Sequence, residues 1–453
     1  MRVCRVHGAS GCATIRGMDA SAHFRGKRIT VMGLGLLGRG VGDARYLAEC
    51  GAELIVTDLK SRAELAESVA QLESFPNISF VLGEHRLADF RDRDLILKAA
   101  GVPLDSPYIA QAKENGIPVR MSADLFAELS GVPVIGVTGT RGKSTVAHML
   151  YTILKTAGVP ALLGGNVRGV STLALLSEVT PAHRAVLELD SWQCQGWGEA
   201  KMSPHVAVFT TFYADHRNYY KNDPEAYIAD KAYIFLHQTS ADTLVLGKQC
   251  APTIIEKFGE RIESNVIVAD ALKLPDTWTL KIPGLHNRYN AALALAAARA
   301  IGIPDNESRA ALGSFEGVPG RLELLAQKHG VHIYNDTTAT TPEATLAALA
   351  ALPAGRTILI MGGADKELAM DALLEKLPEA KRVILLAGTG TDRLKSSLPE
   401  APVYDALARA VEDAVSHAVP GDSILFSPAF ASFGMFKNEY DRGDQFAALV
   451  EAL

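Results

Sequence analysis

The amino-acid sequence predicts an α/β protein of three domains, in which buried parallel strands alternate with helices. Short apolar runs of strand length recur between segments of helical periodicity, and two of these runs are followed by glycine-rich turns. The chain has 453 residues, more than a single hydrophobic core holds, so several domains are expected. The apolar runs that carry the strand prediction span residues 29–32, 55–56, 134–137, 206–209, 357–360 and 423–426.

The domain boundaries are predicted where a phosphate-type loop or a new series of strands begins. Three blocks result, at residues 18–127, 128–304 and 305–453. Residues 1–17 carry Arg and His but no continuous apolar stretch, so we expect a disordered leader rather than a secretion signal. Met18 is then a candidate for the true start of the protein.

Composition and charge exclude several classes of protein. The formal net charge of −6, from 45 Lys and Arg against 51 Asp and Glu, provides no positive field that would gather nucleic acid or an anionic membrane. The five cysteines are scattered and form no Cys-x-x-Cys pair, which argues against a disulfide framework and a structural zinc site. No apolar run approaches the roughly 20 residues of a membrane helix. We therefore expect a cytoplasmic protein that acts on small molecules.

The first block opens with a glycine-rich turn after its first strand. Gly33, Gly35 and Gly38 are followed, twenty residues after the last of them, by Asp58. This spacing is the dinucleotide fingerprint of a Rossmann-like domain, in which a phosphate group lies against the glycine turn. Taken alone, it predicts a nicotinamide-dependent oxidoreductase.

The second block contains a phosphate-binding loop. A buried strand leads into residues 138–145, Thr-Gly-Thr-Arg-Gly-Lys-Ser-Thr, and a helical segment follows. Glycines let backbone N–H groups approach phosphate oxygens, while Lys143 can reach the β- and γ-phosphates and Ser144 can bind Mg²⁺. The loop departs from the usual spacing because Val137 occupies the first glycine position. It still predicts a P-loop that binds a nucleoside triphosphate.

Two further features of this block are typical of a metal site. Glu188 closes one buried strand, and Asp215-His216 follow another. The carboxyl ends of parallel strands are where α/β sheets bind ligands, and carboxylate and imidazole are ligands of divalent ions. Lys231 lies on or beside the apolar face of a predicted helix, where by itself it would be a lysine that extends its ammonium group to solvent.

Together these motifs resemble the Mur ligases of bacterial cell-wall synthesis, in particular the members that add D-glutamate. The resemblance extends from about residue 28 to the C-terminus. It rests on an ordered series of motifs at residues 33–38, 139–145, 165–166, 188–193, 215–216, 231, 284–290, 335–336, 362–363 and 427–429.

The resemblance implies an ATP-dependent ligase with a P-loop central domain and a Rossmann-like domain on either side. Such an enzyme adds D-glutamate to UDP-N-acetylmuramoyl-L-alanine through an acyl phosphate, in the synthesis of peptidoglycan precursors. It implies two Mg²⁺ ions, with Lys231 carbamylated so that it becomes a metal ligand. It also implies a monomer whose partners are small-molecule substrates.

The same resemblance assigns roles to individual residues. Lys143, His216 and Lys231 are the expected catalytic residues. The expected metal ligands are Ser144, Glu188, His216 and Lys231. The expected ATP contacts are Gly139, Thr140, Gly142, Lys143, Ser144, Thr145, Asn287, Asn290, Arg321 and Asp336. The UDP-sugar is expected at Leu36, Leu37, Asp58 and Asn166, and the glutamate at Thr340, Lys366, Ser432 and Phe433.

Five positions depart from the family pattern and leave alternatives open. Leu37 and Leu59 stand where a polar residue is common beside the uridine. Gly320 replaces a histidine beside the nucleotide, whereas Thr338 and Glu439 replace a lysine and an aromatic residue near the amino-acid pocket. The acceptor could therefore be L-glutamate or another amino acid. A nicotinamide-dependent oxidoreductase and a catalytically silent nucleotide-binding regulator are the alternatives from other classes, although an intact Lys143 and Lys231 argue against the second.

Overall fold

The computed structural model describes residues 20–213, 215 and 219–453, and each predicted block contains one β-sheet. The predicted leader at residues 1–17 and Met18 lie outside the described residues. All the apolar runs predicted as strands fall within strands of these sheets. The α/β prediction is therefore confirmed.

The first sheet is parallel and has its topological switch in the middle. Its strands are β1 (Arg28–Met32), β2 (Glu53–Asp58), β3 (Ile78–Leu82), β4 (Leu95–Lys98) and β5 (Val119–Arg120), and its helices are α1 (Ala20–Phe24), α2 (Arg39–Glu49), α3 (Ala66–Ala70), α4 (Pro107–Glu114) and α5 (Ser122–Ser130). The strand order is β3-β2-β1-β4-β5. The chain thus reverses direction across the sheet between β1 and β4, and a crevice for ligands is expected beyond the carboxyl ends of these two strands.

The central sheet surrounds the strand that precedes the P-loop. Its strands are β6 (Val134–Thr138), β7 (Ala161–Gly165), β8 (Arg184–Glu188), β9 (Val206–Phe209), β10 (Thr243–Gly247) and β11 (Asn265–Ala269), and the helices of this block are α6 (Lys143–Thr156), α7 (Ser191–Glu199), α8 (Pro224–Ala232), α9 (Ala251–Phe258) and α10 (Leu285–Ala300). The order is β11-β10-β9-β6-β8-β7. The parallel neighbours of β6 are β8 and β9, so their carboxyl ends flank the loop that follows it.

The third sheet departs from the all-parallel expectation at one edge. Helix α11 (Asp305–Ser314) precedes it; its strands are β12 (Glu323–Lys328), β13 (Val331–Asn335), β14 (Thr357–Gly362), β15 (Arg382–Leu386), β16 (Val403–Tyr404) and β17 (Ser423–Phe426), and its helices are α12 (Pro342–Ala350), α13 (Asp371–Lys376), α14 (Thr389–Leu394), α15 (Leu407–His417) and α16 (Glu439–Glu451). The order is β12-β13-β17-β14-β15-β16, with β12 and β13 antiparallel. His329 and Gly330 join them with φ angles of 51° and 76°, which is the conformation of a tight two-residue hairpin turn.

Both faces of this third sheet are covered, which explains why its central strands are apolar throughout. Leu359 and Leu425 pack in one buried cluster with residues of α12 and α13. Ile360 and Phe426, which point the opposite way, pack in a second cluster with residues of α15 and α16. Strands buried on two faces lose the polar alternation of half-exposed strands.

The chain forms two compact units. The first ends at Lys143 and resumes over Gly158–Ile267, and the second consists of Ser144–Ala157 and Val268–Leu453. The predicted boundaries at 127/128 and 304/305 remain predictions. Among the described helices, none combines the length and the apolar character that crossing a membrane requires.

Candidate active site

The P-loop follows the central strand of the second sheet and requires glycine at its first turn. Gly139 has a φ angle of 138°, and a Cβ atom added there would overlap the side-chain oxygen of Thr210. Gly142 also has a positive φ, of 88°. Lys143 folds back so that its Nζ donates to the carbonyl oxygen of Thr140 at 3.2 Å. The loop therefore has the close-packed backbone of a phosphate cradle.

The residues after β9 hold this loop in place. The backbone N–H of Thr140 donates to the carbonyl oxygen of Thr211 at 2.7 Å. The N–H of Arg141 donates to the hydroxyl of Thr211 at 2.9 Å, and the hydroxyl of Thr210 donates to the carbonyl of Arg141 at 2.5 Å. A neighbouring strand end thus fixes the loop conformation before any ligand binds.

Glu188 and Lys231 lie against the same stretch of backbone. Glu188 is the last residue of β8, is 2% exposed, and pairs in register with Val137 of β6. Lys231 on α8 is 1% exposed, and its Nζ donates to the carbonyl of Gly139 at 3.0 Å and to the hydroxyl of Thr138 at 3.4 Å. The lysine does not extend to solvent, and its burial lowers its pKa.

The other predicted metal ligands can be located only in part. Asp215 lies 3.6 Å from the guanidinium of Arg141, but His216 lies outside the described residues. Ser144 and Thr145 are buried at the start of α6, in the second unit. Within the described residues no three His, Cys, Asp or Glu side chains converge as a metal cluster. The metal-ligand roles of Ser144, Glu188, His216 and Lys231 remain predictions.

A cavity of about 200 Å³ lies in the first unit, at the crevice expected beyond β1 and β4. The glycine turn at residues 33–38 forms one wall, and Leu36 and Leu37, both predicted to contact the UDP-sugar, line it. Gly165, Thr172 and Gln193 of the central block form the opposite wall. Of the four predicted UDP-sugar residues, Leu36 and Leu37 thus line this space, whereas Asp58 and Asn166 are not among its lining residues.

Asp58 supports the glycine turn. One carboxylate oxygen accepts from the backbone N–H of Gly35 at 2.9 Å, and the other accepts from the N–H of Lys60 at 2.9 Å. The carboxyl group is buried. Asp58 therefore fixes the conformation of the turn with both of its oxygens.

Asn166 joins the two walls of the cavity. Its backbone N–H donates to the carbonyl of Glu188 at 2.7 Å, while its side-chain oxygen accepts from the guanidinium of Arg39. Gly165 precedes it in register with Glu188, and a Cβ there would overlap the Glu188 carbonyl. The predicted substrate residue Asn166 is therefore one position away from the predicted metal ligand Glu188 in the sheet.

The second unit contains the residues predicted to contact the nucleotide. Asn287 and Asn290 are buried on α10, and the amide of Asn290 donates to the side-chain oxygen of Asn287 at 3.3 Å. Asp336 accepts from the hydroxyl of Ser427 at 2.7 Å, and Arg321 is close enough to favour its ionised form. Burial nevertheless raises the pKa of Asp336 to about 7.

The predicted amino-acid residues of the second unit lie on adjoining loops. The Nζ of Lys366 donates to the hydroxyl of Thr340 at 3.1 Å. Ala364 and Ala431 form an isolated bridge that brings the Lys366 loop beside the loop that carries Ser432. Ser432 is buried, whereas Phe433 is 70% exposed. The side chain of Phe433 therefore packs against little of the protein, and its predicted contact with glutamate is one of the backbone.

The sequence prediction gave no role to six polar residues that line the cavity of the first unit: Arg39, Asp43, Lys98, Ser122, Thr172 and Gln193. Arg39 follows the glycine turn directly, Lys98 ends β4, and Gln193 lies on α7. Lys98 could have been predicted as a ligand contact, because it directly follows the apolar run 95–97. Glu188 was predicted as a site residue for the same reason, its position at the carboxyl end of a strand. Arg39 could not have been predicted in this way, because it is not one of the glycines whose spacing defines the turn.

Three family models match the chain, one in each block. The model described as "Mur ligase MurD-like, N-terminal domain" matches residues 27–121, "Mur ligase middle domain" matches 137–272, and "Mur ligase, glutamate ligase domain" matches 320–430. The UDP-N-acetylmuramoylalanine–D-glutamate ligase of Roseiflexus sp. is 37% identical over 464 aligned positions, covering 94% of this chain and 99% of its own length. The enzyme of the same name from Borreliella burgdorferi is 34% identical, with coverages of 93% and 97%.

Solved structures share the fold. The UDP-N-acetylmuramate–alanine ligase MurC of Thermotoga maritima superposes with a TM-score of 0.62 at 17% identity, over 94% of this chain and 99% of its own. The MurF ligase of Thermotoga maritima, solved in complex with ADP, gives a TM-score of 0.58 at 18% identity, over 95% and 96%. At these identities the likeness concerns the fold alone.

Proposed function

The chain belongs to the Mur ligase family, and we propose that it is a UDP-N-acetylmuramoylalanine–D-glutamate ligase. The observation that carries the proposal is the match to relatives of that name over nearly their whole length, together with a matching glutamate ligase domain. The enzyme uses ATP, in keeping with the P-loop and with the ADP bound by a structural neighbour. It acts on small molecules and forms an amide bond in the synthesis of peptidoglycan.

The reaction takes place in two steps: the alanyl carboxylate is first activated, and its carbonyl carbon is then attacked by the amine. The alanyl carboxylate of the nucleotide-sugar attacks the γ-phosphorus of ATP, which forms an acyl phosphate and releases ADP. The amine of D-glutamate then attacks the carbonyl carbon, loses a proton, and expels inorganic phosphate from the tetrahedral intermediate. Backbone N–H groups around Gly139 and Gly142 and the ammonium of Lys143 offset the phosphate charge.

The first-unit residues also fit a divalent cation. Glu188 is a buried carboxylate at the carboxyl end of β8 and pairs in register with Val137. The Nζ of Lys231 donates to Thr138 and Gly139, the next two residues of the same chain segment. We propose that Glu188, Lys231 and His216 hold one Mg²⁺ and that Ser144 helps to hold a second. Bound Mg²⁺ would reduce the repulsion between the γ-phosphate and the incoming carboxylate.

A buried lysine becomes a metal ligand only after its charge is removed. Because burial lowers the pKa of Lys231, more of its amine is neutral and nucleophilic. Attack of this nitrogen on CO₂, with loss of one proton, gives a carbamate with two oxygen donors. Carbamylation of Lys231 is therefore part of the proposal.

The remaining contacts are assigned by matching positions. Asn287, Asn290, Arg321 and Asp336 contact the nucleotide, and Leu36, Leu37, Asp58 and Asn166 serve the UDP-sugar. Lys366, Thr340 and Ser432, with the backbone of Phe433, bind the glutamate carboxylates, for which ammonium and hydroxyl groups are suited. We also propose that the enzyme is a cytoplasmic monomer, because ATP and a nucleotide-linked precursor are its substrates.

A second candidate acceptor follows from one region of the second unit. Thr338 bonds to the carbonyl of Gly320 at 2.9 Å, and Glu439 begins α16 with its backbone carbonyl bonded to Thr337. By the resemblance to the family, these are the positions at which a lysine and an aromatic residue are expected. L-glutamate or another amino acid therefore remains the alternative acceptor with the same chemistry.

The decisive experiment measures phosphate release from ATP and Mg²⁺ with UDP-N-acetylmuramoyl-L-alanine. D-glutamate, L-glutamate and no amino acid are compared in parallel. Release that depends on D-glutamate is the expected result. Preference for L-glutamate would move the acceptor and keep the mechanism, whereas no release in any arm would overturn the ligase proposal.

A further inference from the structure

Arg39 is the first residue of α2 and directly follows the glycine turn of the first sheet. Gly38 before it has a φ angle of 79°, a left-handed conformation that redirects the chain into the helix. The half-buried side chain of Arg39 lines the cavity of the first unit. Arg39 belongs neither to the proposed metal site nor to the proposed contacts with ATP and glutamate.

The contact between Arg39 and Asn166 fixes which way the Asn166 amide faces. A guanidinium group only donates hydrogen bonds, so the amide atom that it contacts must be the oxygen of Asn166. The amide nitrogen then points away from Arg39. No residue in the described part of the chain accepts from that nitrogen, so its two N–H groups are available to an acceptor on a ligand.

The charges around the cavity favour an anion. Lys98 lines it, is 3% exposed, and makes one hydrogen bond, to the carbonyl of Val102 at 3.0 Å. Asp43 is the lining carboxylate, and its Oδ1 accepts from the hydroxyls of Ser122 at 2.8 Å and Ser171 at 2.5 Å. Neither Arg39 nor Lys98 has a carboxylate partner within 4 Å among the described residues.

The guanidinium of Arg39 has further donors beyond the one given to Asn166. Arg39 makes no second side-chain hydrogen bond with the described residues. Its planar group can therefore present a pair of N–H donors to phosphate oxygens, the geometry in which arginine binds phosphate best. The adjacent glycine turn lines the same cavity with residues 33–37.

We propose that Arg39 binds the diphosphate of the nucleotide-sugar substrate and, through its contact with Asn166, turns that amide into a hydrogen-bond donor toward the same substrate. This inference rests on the proposed function for the identity of the substrate. It names a specific side chain of this protein as the anion-binding residue. Arg39 acts directly on the phosphates and as a positioning residue for Asn166.

The test compares UDP with uridine as probes in isothermal titration calorimetry on the full-length protein. Arg39→Met should weaken UDP binding by at least about tenfold, because a charged hydrogen-bonded pair is lost, and change uridine binding less than about twofold. Arg39→Lys should recover part of the UDP affinity. Arg45→Met, on the same helix and bonded instead to Gln71, is the matched control and should bind as wild type.

Steady-state kinetics provide the second readout. Arg39→Met should raise KM for UDP-N-acetylmuramoyl-L-alanine by at least about tenfold and leave KM for ATP and for D-glutamate within about twofold. Thermal unfolding by circular dichroism checks that the variant is folded. Equal loss of UDP and uridine affinity, or wild-type UDP binding by Arg39→Met, would overturn the role of Arg39. Failure of the wild type itself to bind UDP would instead overturn the proposed function.

Discussion

Lys231 lies on α8 with only 1% of its surface exposed, and its Nζ contacts the backbone of the P-loop. A lysine beside the apolar face of a helix usually extends its ammonium to solvent, but here the surrounding strands and the P-loop enclose it completely. A buried amine without a carboxylate partner is costly to keep charged. That cost is tolerable if the working form of the residue is not an ammonium.

Replacing Lys231 by Ala is therefore expected to reduce ATP-dependent ligation by at least about 100-fold, as expected for a lost metal ligand. Added acetate or formate should restore part of the activity, since a small carboxylate can take the place of a carbamate. Phosphate release with and without the added carboxylate measures this.

Lys257→Ala is the control, because this lysine is an exposed partner of Glu225 and should not affect turnover. Unchanged turnover in Lys231→Ala would contradict the metal-ligand role, and full loss without rescue would contradict carbamylation.

Lys98 is the second enclosed lysine, and its burial predicts a pH-dependent stability effect. Desolvation lowers its pKa from 10.5 to about 8, so the folded state opposes protonation more than the unfolded chain does. The resulting penalty is fully present below pH 8 and disappears as the pH rises through 10.5.

Lys98→Met is accordingly expected to increase the free energy of unfolding at pH 7, by at most about 3 kcal/mol. The gain should shrink toward zero near pH 10. Urea unfolding of variant and wild type at pH 7, 8.5 and 10 measures it, with the exposed Lys113→Met as control. A difference that does not vary with pH would contradict the desolvation argument.

At the scale of single elements, the P-loop illustrates a constraint that sequence spacing indicates but does not explain. From the sequence alone, Gly139 is explained by the need of the backbone to approach a phosphate group closely. The structure adds that Thr210, from the end of the next strand, occupies the space where a side chain would lie. A larger side chain at residue 139 would therefore clash with Thr210 even when no phosphate is bound.

Gly139→Ala should therefore displace the loop and reduce ATP-dependent phosphate release by at least about 100-fold. Gly158→Ala is the matched control, since it also has a positive φ, of 70°, but no atom within 4 Å of the added Cβ. It should cost about 1 kcal/mol of stability and leave turnover within about twofold. Equal activity losses in the two variants would show that backbone strain, not the clash, is responsible.

The hairpin at residues 329–330 shows what element prediction could not supply. Strand-length apolar runs identified β14 and β17, but β12 has an apolar run of only three residues, 324–326, between polar ends. Its turn, with two positive φ angles, contains His where Asn or Asp is the stronger signal. The antiparallel edge strand was therefore not predicted, although Gly330 is a residue typical of a tight hairpin turn.

At the scale of the whole molecule, periodicity predicted the three sheets but not their strand orders. In the third sheet, β17 pairs with both β13 and β14 although it follows β14 by about 60 residues along the chain. Long-range pairing of this kind depends on tertiary packing, which no local pattern encodes. The resemblance to a family carried the site assignment further than spacing did, yet it omitted Arg39, which no family motif had singled out.

Ligand binding should be localised in the first unit when only part of the substrate is present. UDP is expected to slow backbone hydrogen exchange at residues 28–43 and 95–100, which line or support the cavity. Peptides from the third sheet, residues 323–426, should be unchanged. Hydrogen-exchange mass spectrometry with and without UDP measures both regions, and equal protection throughout the chain would contradict a site confined to the first unit.

The glycines beside the active site also bear on drug resistance. Gly165 lines the cavity, Gly139 opens the P-loop, and at each position an added side chain would collide with a neighbouring strand end. A bacterium escapes an inhibitor most simply by changing a side chain that the compound touches. A compound whose affinity comes from the peptide groups of these two glycines would leave the organism few mutations that both evade it and preserve the enzyme.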